Sequence, residues 1–95
     1  MTREKRILKL ICNHFKISIH QVIYRSDREG VEPRQIAALL LYRHTESTYM
    51  EVAEILDYSG KQDVYAAIKC IQKISSANKA LSATIGILET QILEK

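Results

Sequence analysis

Residues 48–74, TYMEVAEILDYSGKQDVYAAIKCIQKI, decide the reading of the fold. Thr48 and Glu51 have capping-box spacing: the hydroxyl takes the backbone N–H three residues on, and the carboxylate reaches back to the N–H of the cap. Behind that box Tyr49, Val52, Ala53 and Leu56 recur at three- and four-residue steps, so residues 48–56 predict a short amphipathic helix. Asp57, Tyr58, Ser59 and Gly60 supply turn chemistry. Ser59 with Gln62 offers a second cap, and Val64, Ala67, Ile68, Ile71 and Ile74 form the apolar side of a longer helix over residues 59–74. A short helix, a glycine-bearing turn and a second helix make a helix-turn-helix signature.

Working outward, Pro33 is suited to a first helical position, where its missing N–H would be unpaired anyway. Ile36, Ala37, Leu40 and Leu41 follow on one face and Leu39 widens it, which predicts the central helix. Residues 25–32, RSDREGVE, lack apolar periodicity and contain Gly30, so they predict a loop. Before them Ser18 and Gln21 form a capping box for a helix through Ile19, Val22 and Ile23 that ends near Tyr24. Ile7, Leu8, Ile11, Cys12 and Phe15, with Arg3, Lys5, Arg6 and Lys9 among the other positions, predict an amphipathic first helix. Residues 77–94 read as a C-terminal helix with the stripe Leu81, Ile85, Leu88 and Ile92, and Ile87 and Leu93 off it. That stripe covers fewer heptads than a coiled coil sustains. Folding back on the domain, and hence a monomer, is the favoured expectation, with a dimer through this helix as the alternative.

The chain has 95 residues, 46% of them hydrophobic, with one proline and three glycines. This size and helix-favouring composition predict a single all-α domain over residues 1–95, a compact bundle of five or six helices containing the helix-turn-helix. The two cysteines, Cys12 and Cys70, sit inside apolar helical patterns and no secretory segment opens the chain, which points to a reduced, cytoplasmic setting. The longest apolar run, residues 36–42, is too short to cross a bilayer.

Chemistry-bearing clusters are sparse. Cys12 and His14 lie two apart, and His20 and His44 stand alone, which is not the spacing of a zinc site. No G-x-x-x-x-G-K-[ST] phosphate loop occurs, and nothing fixes a catalytic triad. The expectation is therefore a binding module with no enzymatic activity, metal, cofactor or bound nucleotide. Formal net charge is +3, and residues 1–75 hold all of the excess, with twelve Lys and Arg against nine Asp and Glu. Any attraction for phosphate lies there.

With Val64, Ala67, Ile68 and Ile71 turned to the core, Lys61, Gln62, Tyr65, Ala66, Lys69 and Lys73 face outward. A recognition helix uses its N-terminal side chains on base edges, where Gln pairs with adenine and Lys with guanine. Lys69, further along, is better placed for phosphate.

From Phe15 to Ile74 the sequence resembles, without a gap, the C-terminal DNA-binding domain of the bacterial replication initiator DnaA, a Trp-repressor-like helix-turn-helix domain. Pro33-Arg34-Gln35-Ile36-Ala37 is the most specific piece. The resemblance implies duplex DNA as partner, with a basic loop on the backbone and minor groove, Arg34 and Gln35 on phosphate, and the second motif helix in the major groove. Arg25 and Arg28 keep basic character in the loop. The family's glycine-arginine-aspartate-histidine-threonine-threonine run aligns with Tyr58, Ser59, Gly60, Lys61, Gln62 and Asp63, and none of those identities is kept. A minor-groove arginine of the family falls on Ser26. Asp27, Glu29, Glu32 and Asp63 also oppose phosphate. Two readings follow: a nucleoid-associated DNA binder of replication or transcription, and a protein-interaction module that kept the fold and lost DNA affinity.

Overall fold

The computed structural model describes the backbone of residues 2–24 and 28–94 and the side chains of residues 2–23 and 33–94. Thr2 opens the first helix, α1 (Arg3–Phe15), by accepting the Lys5 N–H at 3.2 Å. Ile7, Leu8, Ile11 and Cys12 are its buried side. The helix stops at Lys16, which takes the left-handed conformation with φ 57°, and the Ile17 N–H then bonds the Cys12 carbonyl at 3.1 Å. This is a Schellman closure, which satisfies a carbonyl that the helix end would orphan.

Helix α2 (Ile19–Tyr24) has the expected box: Gln21 N–H donates to Ser18 Oγ at 3.1 Å, and Ser18 N–H donates to Gln21 Oε1 at 2.9 Å. Among its described side chains only Val22 is fully buried, and Ile19 lies exposed. Helix α3 (Arg28–His44) corrects the sequence reading, which starts it at Pro33 and leaves residues 28–32 in a loop. Arg and Glu favour helix without needing an apolar face, so periodicity has no signal for this first turn and a half. Pro33 removes the N–H that would bond the Glu29 carbonyl, a local cost that the helix absorbs near its start. The expected loop residues 25–27, including Arg25, lie outside the described residues.

Helix α3 is central, as its wide apolar face predicts: residues 36–41 are all buried, and it packs against α1, α2 and three further helices. Helix α4 (Tyr49–Leu56) carries the Thr48–Glu51 capping box with both bonds present. Helix α5 (Lys61–Ala77) buries Val64, Ala67, Ile68 and Ile71. Two expectations fail at its ends. Gly60, not Ser59, is the N-cap, because Ser59 Oγ donates to the Asp63 carboxylate at 2.7 Å instead of accepting a backbone N–H. The helix also runs past Ile74, which is exposed along with Cys70.

Asn78 alone separates α5 from α6 (Lys79–Leu93); its side chain accepts the Leu81 N–H at 3.1 Å. Leu81, Ile85, Leu88 and Ile92 are buried within the chain itself, so the C-terminal stripe folds back against α1, α3 and α5. Arg6 Nη2 ties α1 to the C-terminal end of α6 through the Gln91 carbonyl at 3.2 Å and the Glu94 carbonyl. Among the described residues the protein is all-α, six helices without a strand, and no helix is long and apolar enough to cross a membrane.

Candidate nucleic-acid interface

The site is built on the turn between α4 and α5, residues 57–60. Helix α4 ends as α1 does: Asp57 takes φ 57°, and the Tyr58 N–H bonds the Ala53 carbonyl at 2.9 Å. A side chain from α3 then completes this end. Arg34 Nε donates to the Leu56 carbonyl at 3.1 Å, and Nη2 donates to the carbonyls of Leu56 and Asp57, each at 2.7 Å. Its guanidinium carbon sits 3.9 Å from the centre of the Tyr58 ring. A cation at a helix C-terminus meets the negative end of the helix dipole, and the planar fork makes bonds that an ammonium could not arrange in the same way.

Burial pushes the Tyr58 phenol above its ordinary pKa; the Arg34 cation opposes that shift and the Asp63 carboxylate adds to it. Tyr58 therefore stays neutral at pH 7 and serves as an apolar ring under the guanidinium. Sequence reasoning assigns Arg34 to phosphate from the resemblance, and the structure adds this internal role, in which two of its nitrogens hold the turn. Gln35, beside it on α3, is half-buried.

Beyond the turn, the outward face of α5 is as its pattern predicts. Lys61, Gln62, Tyr65, Ala66, Lys69 and Lys73 are all exposed. Lys61 and Gln62 occupy the first turn, and Asp63 stands in the same turn, held by Ser59. Of the basic group N-terminal to Pro33, Arg28 is the first residue of α3, and its side chain, like Arg25, is outside the described set.

Tyr65 does not stand alone on this face. Its ring meets that of Tyr49 edge-on, with centroids 5.7 Å apart, and Tyr49 in turn stacks on Tyr42 at 4.4 Å and 7°. The ammonium of Lys69 lies 5.5 Å from the Tyr65 ring centre. Hydrogen bonding with Tyr42 raises the Tyr49 pKa, and desolvation and the neighbouring phenols push it the same way. Sequence reasoning missed this cluster, because its three rings come from three helices and no local spacing links them. The Arg34 contact was missed for the same reason, since its carbonyl partners lie 22 and 23 residues away.

No protein-family model matches the chain. It is similar to the chromosomal replication initiator protein DnaA of Chloroflexus aurantiacus, strains J-10-fl and Y-400-fl, with 31% identity over 85 residues in each case. The similarity covers 87% of this chain, which spans 18% of the length of those relatives. It supports a DnaA-like domain.

Proposed function

We propose that the chain is a DnaA-like domain that binds duplex DNA, with α4 and α5 as its helix-turn-helix and the start of α5 in the major groove. Lys61 and Gln62 approach base edges. Arg34 and Gln35 at the turn, Lys69 and Tyr65 on α5, and Arg25 and Arg28 ahead of the α3 core segment meet phosphates. Phosphate contacts position such a domain and edge contacts specify its sequence. The chain acts by binding rather than catalysis, as a monomer, at the nucleoid in replication or transcription.

One observation carries the reading: the exposed first turn of α5, with Lys61 and Gln62, follows a turn held rigid by Arg34, Tyr58 and the α4 carbonyls. A recognition helix must present its N-terminal side chains in a fixed orientation, and this turn supplies that. The similarity to DnaA supports a DNA-binding domain. Backbone amide NMR tests it. Adding a duplex at low salt should perturb the amides around Lys61, Gln62, Tyr65 and Lys69, and perturbations confined to α6 would remove the proposal.

A second reading rests on Asp63, whose carboxylate is held in that same first turn by Ser59. A fixed negative charge there repels phosphate and suits a protein partner instead. This interaction-module reading takes over if duplex DNA perturbs none of these amides.

A further inference from the structure

We propose that the cleft between the C-terminal half of α3 and the middle of α5 takes a single DNA strand, packing an unpaired base against the rings of Tyr42, Tyr49 and Tyr65 with its phosphate at Lys69. The proposal deepens the nucleic-acid reading and rests on the chain being a nucleic-acid binder rather than on the major-groove contact, and it uses Tyr42 and Tyr49, which duplex binding does not need.

The cleft holds about 200 Å³. Leu39 and Ile68, both buried, give it an apolar base, and the three tyrosines give it aromatic walls. Tyr42 is 40% exposed and Tyr65 48%, so their rings offer open aromatic surface. The stack of Tyr42 on Tyr49 is a short column of parallel rings, and an unpaired base can continue it. Base faces in a duplex are covered by their neighbours and only edges are offered in the grooves. Partly exposed tyrosine rings therefore match an unpaired base better than a paired one, and stacking of this kind tolerates any base.

Charge selects the ligand class. Among the described residues, Lys69 and Arg43 are the charged side chains lining the cleft, and no carboxylate lines it. Arg43 is partly neutralised by Glu89 at 3.2 Å, which leaves Lys69, over the Tyr65 ring, as the cation for a phosphate next to the stacked base. Aromatic walls with a cation at the rim are the combination that single-strand binders use.

The test is fluorescence anisotropy with a labelled oligothymidylate at low salt, run beside a duplex of the same length and thymidine monophosphate as competitor. The chain has five tyrosines and no tryptophan, so quenching of tyrosine emission reports stacking directly. The expected result is oligothymidylate binding with quenching, weakened roughly five- to a hundredfold by Tyr42→Ala and nearly unchanged in Tyr42→Phe. Duplex affinity should not change in Tyr42→Ala, which separates this site from the α5 surface, and Lys61→Ala should do the reverse. Absence of oligothymidylate binding overturns the proposal, as does an affinity unchanged in a Tyr42→Ala protein whose circular dichroism matches the wild type. Competition by the mononucleotide as strong as by the oligonucleotide overturns the assignment to a strand. Failure of the duplex arm alone removes the major-groove reading and leaves this one standing.

Discussion

The guanidinium carbon of Arg34 lies over Tyr58, 3.9 Å from the ring centre, while Nη2 donates to the carbonyls of Leu56 and Asp57 at 2.7 Å. One side chain of α3 thus closes the end of α4. Arg34→Ala would leave those carbonyls without their charged donor in a half-buried setting, a loss of about 1–3 kcal/mol. Arg34→Lys should not restore it, because a single ammonium cannot reproduce the fork. Urea denaturation checks this, and a midpoint unchanged in Arg34→Ala would show that the turn stands without it.

Glu89 of α6 accepts from His44 Nε2 at 2.8 Å and from Arg43 at 3.2 Å, which ties α6 to the end of α3. Desolvation raises the pKa of its carboxyl, but the hydrogen bonds and charges of His44 and Arg43 outweigh it and hold the value below the usual range. A carboxyl lowered in the folded state adds stability that is present above its unfolded pKa and lost as pH falls through the folded one. Wild type should therefore exceed Glu89→Gln in thermal stability at pH 7, by no more than about 1 kcal/mol given the exposure of Arg43. The gap should close as pH falls below about 4. A gap independent of pH would contradict the ion-pair account.

Lys16 holds the left-handed conformation at the end of α1 with φ 57°. A side chain there costs roughly 1–2 kcal/mol that glycine avoids, offset in part by the greater freedom of glycine in the unfolded chain. Lys16→Gly should raise stability by about 0.5–1 kcal/mol, a rare stabilising change to glycine. A lower melting temperature in calorimetry would contradict it.

Elements whose signals are local were legible in the sequence. The Ser18–Gln21 and Thr48–Glu51 boxes form as their spacing predicts, and of the expected apolar side of α5 Val64, Ala67, Ile68 and Ile71 are buried while Ile74 is exposed. The start of α3 was not legible, because Arg28, Glu29 and Glu32 can extend a helix without apolar periodicity. Ser59 was misread because two residues compete for its hydroxyl, and Asp63 takes it. For the site, the exposed side chains of α5 followed from its period. The hold of Arg34 on the turn and the Tyr42–Tyr49–Tyr65 cluster depend on how three helices pack, which no spacing along the chain encodes.

Leu88 is fully buried in the fold of its own chain. Leu88→Ala should cost about 2–5 kcal/mol by opening a cavity. Light scattering of the wild type should give the mass of one chain, since the stripe has no apolar face left for a second copy. A stable dimer that Leu88→Glu dissociates into folded monomers would contradict the fold-back arrangement.

The salt dependence of duplex binding tests the central claim most directly. Each Lys or Arg that neutralises a phosphate releases counterions, so four such contacts should give a log-log slope of affinity against salt of about −3 to −4. Lys69→Ala should flatten that slope by about one unit on any sequence. Gln62→Ala should leave the slope alone and cost about 1–3 kcal/mol only on a preferred site. With Asp63 and the acidic residues before Pro33 opposing phosphate, non-specific affinity should be near micromolar or weaker at physiological salt, on the order of ordinary non-specific binding. The account predicts binding at low salt with this slope and these two different variant responses. No binding at low salt, or a slope and affinity untouched by Lys61→Ala and Lys69→Ala in folded proteins, would contradict it.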